Sequence, residues 1–270
     1  MDLHTVTSLR PARSRDELRL ATGETVLAGG SWLFSEPQPD VTGLVDLTAL
    51  GWRPVTVHAG GLSIAATCTI AQLVEACATL DRPDWPALAL ARPCAEAFLM
   101  SSKIWGTATV GGNVCLALPA GAMISWAVAL DAVAVVWTSD GGERREPVAT
   151  FVQGVRRTSL QPGEVLRSIE IGAAALQGRA TMRKIALTPI GRSSSVVTGR
   201  VDVDGRVTLG LSAATPHPHA FVFGHQPTDD ELQDSIAGVD AWHDDAHGAP
   251  DWRAAVSLVL AYEVCAELRG

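Results

Sequence analysis

The chain has 270 residues, of which 47% are hydrophobic and 19% charged. That is the composition of a folded globular protein and excludes a disordered one. Its 21 Lys+Arg against 29 Asp+Glu give a net charge of -8 with no local Lys/Arg stripe, which excludes sequence-independent nucleic-acid binding, where clustered cations must neutralise phosphates.

In chain order, Ser14 and Glu17 have capping-box spacing and predict a short helix to about Ala21. Residues 24–28 read as a strand, and Gly29-Gly30 forces a turn after it. Strands are expected at 41–47 and 62–66. Thr69-x-x-Gln72 caps a helix whose apolar face is Ile70, Leu73, Val74 and Cys77. A second helix is predicted over 86–98. Residues 104–130 carry no charge but contain several glycines and Pro119, so they read as a loop and then a buried helix, not as a membrane span of ~20 apolar residues. Residues 133–137 form a buried strand ending at Asp140-Gly141-Gly142, and 165–171 a strand after Pro162-Gly163. Residues 172–178 read as a small-residue loop, and a domain boundary is placed there, giving domains 1–176 and 177–270. Beyond it come a strand over 181–187 and a hairpin, 196–203 and 206–211, around Asp204-Gly205, which suits a type I′ turn. Pro216-His217-Pro218 breaks the regularity, Thr228-x-x-Glu231 caps a helix, and a long helix from Asp251 carries Val256, Leu260, Val264 and Leu268 on one face. Strands and helices mix without regular alternation, which makes the class α+β.

The five cysteines show no CxxC or paired Cys/His spacing, so they read as reduced, mostly core thiols of a cytoplasmic protein. The stretch Met1-Asp2-Leu3-His4-Thr5 has neither the basic nor the apolar region of a secretion signal. Residues 226–251 hold eight acids and no Lys or Arg, leaving the other 21 acids balanced by 21 bases. This segment reads as a solvated acidic loop, or as a face that orients a partner subunit.

Two glycine pairs carry the chemistry: Leu27-Ala28-Gly29-Gly30-Ser31 and Ala108-Thr109-Val110-Gly111-Gly112-Asn113. Glycine permits positive φ and close backbone approach, and successive N–H groups in such a turn form an anion nest suited to phosphate. Two such loops could hold the two phosphates of a dinucleotide from opposite sides, although either alone is also what a plain tight turn requires. Neither is a GxGxxG or P-loop fingerprint.

The wording around these pairs resembles the FAD-binding medium subunit of the molybdenum hydroxylases, of the xanthine dehydrogenase and carbon monoxide dehydrogenase type. VLAGGSWL at 26–33 is followed by ATVGGNV at 108–114, then by Leu118-Pro119-Ala120 where that family has Ser-Pro-Ala. Residues 157–166 resemble its RKTxLxPGELL stretch and 182–186 its YRKxA strand. The Asp204-Gly205 hairpin and the Trp252-Arg253 helix fall where its C-terminal domain has them, so the resemblance covers nearly the whole chain in order.

The resemblance implies a two-lobed FAD-binding domain of the vanillyl-alcohol-oxidase/PCMH type, plus a small C-terminal domain with an antiparallel sheet and helices. It implies that Leu27, Ala28, Gly29, Gly30, Ser31, Trp32 and Leu33 wrap the FAD pyrophosphate. Ala108, Thr109, Gly111, Gly112 and Asn113 would bind from the second loop, Val165 and Leu166 would line the adenosine or flavin contact, and Lys184 would reach the far end of the cofactor. It further implies electron transfer from a [2Fe-2S] subunit to an external acceptor. The molybdopterin and the iron–sulfur cluster would lie on partner chains of a heterotrimer, which could itself pair as a dimer. No cysteine pattern for a cluster occurs in this chain.

The chain departs from the family at Lys103-Ile104-Trp105-Gly106, where Gln-Ile-Arg-Asn is usual, at Arg192, and at Ala122, where the family has a ribose-binding Asp. Losing such a charge-assisted bond costs about 1.5–3 kcal/mol. These departures motivate an alternative, a structural subunit that keeps the fold without the cofactor. A self-sufficient flavin oxidase is a third reading, disfavoured because such enzymes usually have a larger substrate domain. His243 and His247, four apart around Asp244 and Asp245, are weighed as a metal pair and read instead as a solvated loop, because Gly248-Ala249-Pro250 ends any helix at once. His217-Pro218-His219 reads as a turn, and no metal site is assigned. Trp32 and Trp105 flank the glycine loops as candidate flavin contacts, whereas Trp126, Trp137 and Trp252 read as core. No nucleophile–base pair is present, as expected where a cofactor carries the redox chemistry.

Overall fold

A computed structural model describes residues 3–99 and 101–270. The first two residues of the N-terminal stretch lie outside that range. Strands β1 (Ser8–Pro11), β2 (Glu24–Leu27) and β3 (Gly43–Asp46) form a parallel sheet ordered β1-β3-β2. Gly43 on the middle strand leaves the sheet face open, since a Cβ there would lie 2.7 Å from Ser8 Oγ and 3.0 Å from Glu24 Cγ. Across that face Arg10 of β1 donates to both carboxylate oxygens of Glu24 on β2, at 2.8 and 2.7 Å.

The chain continues through β4 (Val55–His58), β5 (Gly61–Ala65), β6 (Val133–Trp137), β7 (Glu143–Pro147), the short pair β8 (Val152–Gly154) and β9 (Arg157–Thr158), and β10 (Val165–Gly172). Five of these make an antiparallel sheet ordered β4-β5-β10-β6-β7. Between β5 and β6 lie α1 (Ile70–Thr79), α2 (Ala91–Glu96), α3 (Ser102–Trp105), α4 (Val110–Leu116) and α5 (Ala122–Ala129). They pack with the sheet around a core that includes Leu62, Ile64, Leu73, Trp126 and Ile169. After α6 (Val148–Phe151) and α7 (Ala173–Gln177), a second antiparallel sheet runs in sequence order: β11 (Arg179–Ile185), β12 (Ser195–Val201), β13 (Val207–Ser212) and β14 (His219–Phe223). Helices α8 (Asp229–Ala237) and α9 (Pro250–Arg269) cover one face of it. Gly199 on β12 admits α9 closely, because a Cβ there would lie 2.3 Å from Val264 Cγ1. Burying each Leu or Val of that face stabilises the sheet by about 1.5–3 kcal/mol.

Helix α5 joins the two halves. All of its residues are buried, and Ser125 shares a 2.6 Å hydrogen bond with Ser212 of β13. Arg200 of β12, fully buried, donates to the Ala129 carbonyl at 2.6 Å, to Asp131 at 2.5 Å and to Asp202 at 2.6 Å. A buried guanidinium is tolerable only with such complete pairing.

The capping boxes at Thr69/Gln72 and Thr228/Glu231 form with both reciprocal bonds. Ser14 makes no cap bond, and Glu17 instead accepts from the Arg13 N–H at 2.7 Å, so only a 3-10 turn, Arg15–Leu18, results. The region 86–98 divides into a 3-10 segment, Pro86–Leu90, and α2. Residues 173–177 are helical, not a loop. The Asp204-Gly205 hairpin is not type I′: only Gly205 has positive φ, 88°, and its N–H donates to the Asp202 carbonyl at 3.0 Å. That is a type I turn closed by a left-handed glycine. On α9 the buried row is Arg253, Ser257, Leu260, Val264 and Leu268, with Val256 only half-buried. Among the described residues no helix is long and apolar enough to cross a membrane.

Candidate functional site

A cleft of about 530 Å³ opens between the small parallel sheet and the five-stranded sheet, a size typical of a cofactor pocket. Its walls include Leu27, Ala28, Gly29, Gly30, Ser31, Trp32 and Leu33 from the first segment, Ala108, Thr109, Gly111, Gly112 and Asn113 from the second, and Val165 and Leu166 of β10. Lys184 is not part of the wall. It is exposed on β11, and its ammonium lies 3.5 Å from the carbonyl of Ala97, next to the wall residue Phe98. Trp105 also lies off the wall, packed against the main core, and its neighbour Ile104 takes the wall position. Ala122 is fully buried at the start of α5 and does not face the cleft.

The four glycines serve different ends. Gly29 lets the two segments touch, since a Cβ there would stand 1.6 Å from the Thr107 carbonyl oxygen. Gly111 seats α4 on the end of β5, where a Cβ would meet Ala66 Cβ at 2.4 Å. Gly30 has φ +68° and begins a turn in which the Phe34 N–H donates to its carbonyl at 2.9 Å. At Gly112 a Cβ would meet only Thr109 Oγ1, at 2.9 Å, so this backbone surface is left open to the cleft.

The two segments also differ in their free donors. Among the described residues, no N–H group of residues 28–33 donates to an acceptor of the chain. These half-buried donors must be satisfied by something outside it. In the second segment the N–H groups are spent internally: Val110 to the Cys68 carbonyl at 2.8 Å, Gly111 to that of Ala66 at 2.9 Å, and Gly112 to Thr109 Oγ1 at 3.0 Å. The free N–H groups that an anion nest requires, expected from the sequence on both sides, are therefore present on one side only, because the second glycine pair lies within a helix. What the second segment offers is the Thr109 hydroxyl, the flat Gly112 and the Asn113 amide. Asn113 Oδ1 accepts from the Met123 N–H at 2.9 Å, which leaves its NH₂ free to donate.

Some wall features were not legible in the sequence. Glu164, its side chain 7% exposed, is held by Arg144 at 2.6 Å and accepts from the Gln161 N–H at 2.9 Å. Arg144 holds its carboxyl below the usual range. Among the described residues no Lys, Arg or His lines the cleft, so a bound anion would be neutralised by backbone dipoles. The indole Nε1 of Trp32 is buried without an acceptor, and Arg156 stands 5.8 Å from that ring. Beyond Leu166 a bulge inserts Arg167, whose guanidinium lies 4.3 Å from Trp52 and 5.6 Å from Trp137. Trp137 thus packs edge-on against Trp52 in a cation-bearing cluster, where the sequence suggests a plain core residue. Cys115 lies in the wall, and burial pushes its thiol up to about 12.

An apolar-walled cleft with a row of unspent N–H donors, an orphaned indole N–H and an open glycine face fits an elongated ligand with a diphosphate, which is the shape of a dinucleotide. Residues 6–173 match the family described as the FAD binding domain in molybdopterin dehydrogenase, and the chain belongs to that family. Solved structures share the fold over nearly the full length. Quinoline 2-oxidoreductase from Pseudomonas putida 86 matches with a TM-score of 0.80 at 19% identity, covering 99% of this chain and 98% of that one. Reconstituted CO dehydrogenase from Oligotropha carboxidovorans matches with 0.82 at 20% identity, covering 98% and 97%. The carbon monoxide dehydrogenase from Hydrogenophaga pseudoflava, in a form lacking the Mo-pyranopterin moiety of its cofactor, matches with 0.80 at 16% identity, covering 97% and 98%. No curated protein sequence matches significantly.

Proposed function

We propose that the cleft holds FAD and that the chain is the electron-transfer subunit of a heteromeric molybdenum hydroxylase. The observation that carries this reading is the row of unspent N–H groups at 28–33 in a cleft without a cationic side chain, in a chain of the FAD-binding family. Those N–H groups would hold the pyrophosphate. Asn113 would donate its amide from the second segment, Gly112 would allow close approach, and Val165 and Leu166 would add apolar wall. Lys184 would act from the rim near Phe98 and not from the wall. When bound, FAD would supply the redox chemistry that the protein's own side chains lack. The residues of the cleft bind, orient and exclude water.

The scattered cysteines supply no cluster pattern, so the [2Fe-2S] centre and the molybdopterin are assigned to partner subunits. In this reading residues 1–176 form the cofactor domain and 177–270 the C-terminal domain. The complex would be purified intact and its flavin extracted and counted. One FAD per copy of this chain, with the visible flavin band bleached on reduction by substrate, supports the reading. A complex without FAD that gains no flavin band on adding it refutes it and leaves a structural subunit.

A further inference from the structure

The C-terminal sheet carries a second constellation, away from the cleft. His217 and His219 flank Pro218 at the entry to β14, and Asp240 comes from the segment between α8 and α9. One ligand atom from each lies within 4.8 Å of the others, and His217 Nε2 is 3.9 Å from Asp240 Oδ1. None of the three lines the cofactor cleft. We infer that His217, His219 and Asp240 form a binding site for a divalent transition-metal cation of the zinc type.

Local chemistry prepares these groups to bind a metal. His217 Nδ1 lies 3.2 Å from the Pro218 carbonyl, which can only accept, so Nδ1 carries the proton and Nε2 presents its lone pair. A backbone carbonyl on the second ring nitrogen is the usual way to orient a metal-binding imidazole. His219 Nε2 is buried and has no hydrogen-bond partner. An unsatisfied buried nitrogen is costly and calls for an explanation, and a metal ion would satisfy it. The two imidazole rings stand 4.5 Å apart, close enough to share one ion. Asp240 is 73% exposed, which leaves one side of the site open for water.

The donor set selects the ion class. Two imidazoles and a carboxylate suit Zn²⁺ and its neighbours, whereas Ca²⁺ and Mg²⁺ want all-oxygen shells. Zinc bonds of about 2.0–2.2 Å place tetrahedral ligand atoms roughly 3.3–3.6 Å apart, so modest side-chain rotation closes the observed spacing. The segment 226–251, with its eight acids and no Lys or Arg, adds a field that favours a cation. A bound ion would add a second tie between the β13–β14 connection and the chain between α8 and α9, which the bond from the His243 N–H to the Ala214 carbonyl, 2.9 Å, already joins. The acidic segment then has a use that its solvated-loop reading lacks.

The test uses the untagged full-length chain, stripped with a chelator and titrated with Zn²⁺ alone. The expected result is one Zn²⁺ per chain, a raised melting temperature that saturates at one equivalent, and visible d–d bands when Co²⁺ replaces it. Asp240→Ala, an exposed position that should fold normally, and His219→Gln should each weaken Zn²⁺ binding by roughly tenfold or more. Absence of stoichiometric binding overturns the inference. So does one equivalent bound with unchanged affinity in both folded variants, which would place the ion elsewhere. Flavin content is read separately and decides nothing here.

Discussion

Gly29 and Gly112 should separate the scaffold of the cleft from its ligand face. In Gly29→Ala the new Cβ would stand 1.6 Å from the Thr107 carbonyl oxygen and 2.7 Å from its carbon. Ordinary contact lies beyond 3 Å, so the two backbone segments must move apart by more than an ångström, and neither atom belongs to a flexible side chain. Overpacking of that kind costs about 1–3 kcal/mol. For a chain of this size each kcal/mol lowers the melting temperature by about 2–4 °C, so a fall of roughly 2–12 °C is expected. Because residues 28–33 present the donors, FAD affinity should fall with it. In Gly112→Ala the Cβ meets only Thr109 Oγ1, at 2.9 Å, a far milder contact than that at Gly29, so the melting temperature should fall by less than in Gly29→Ala. Its methyl group would stand where the ligand approaches, and FAD affinity should fall by about tenfold, or 1.4 kcal/mol. Differential scanning fluorimetry of the apoprotein and quenching of flavin fluorescence on titration measure the two effects separately. Equal melting temperatures for wild type and Gly29→Ala, or unchanged FAD affinity in Gly112→Ala, would refute the reasoning.

Asn113→Asp keeps the acceptor for the Met123 N–H but replaces the free NH₂ with a negative charge, so stability should hold while FAD affinity falls about 10–150-fold, the worth of a charge-assisted hydrogen bond; titration of the apoprotein checks it. Arg200→Met leaves the Ala129 carbonyl without its donor, while Arg206 still pairs with Asp202 and Asp131. An unsatisfied buried acceptor costs about 1–3 kcal/mol, so thermal unfolding by circular dichroism should show a fall of roughly 2–12 °C. Glu24 is held down to about 2, first by the hydrogen bond from Arg10 and then by that from the Ala21 N–H. Its pKa is depressed on folding, so the stability it adds is present above the usual Glu value of about 4.3 and is lost as pH falls towards 2. The stability difference between wild type and Glu24→Gln should therefore shrink over that window in denaturant titrations, and a constant difference would exclude the linkage.

Local sequence determined what short-range physics controls. The strands at 24–28, 133–137 and 165–171, both reciprocal capping boxes and the C-terminal helix follow from periodicity, β-branched content and side-chain-to-backbone bonds within three residues. The family could be read from ordered motifs, since the glycines at close approaches, Gly29 and Gly111, have room for no larger residue. Tertiary structure decided how those glycines are used. The second pair sits in a helix whose N–H groups are spent on Ala66, Cys68 and Thr109, partners that sequence spacing alone does not identify. Only packing shows that Gly29 abuts Thr107, that Lys184 stands at the rim, and that Ala122 faces the interior. Ser14 and Glu17 have the spacing of a cap, yet Glu17 turned to Arg13. Buried Arg200 and Arg253 are charges that composition would place in water; each is bound by carboxylates and carbonyls brought from distant segments. The same holds for Asp240 beside the two histidines. Local signals depend on neighbours a few residues away, whereas the pairing of a buried charge or the direction of a free N–H depends on long-range contacts, which exist only once the chain has folded.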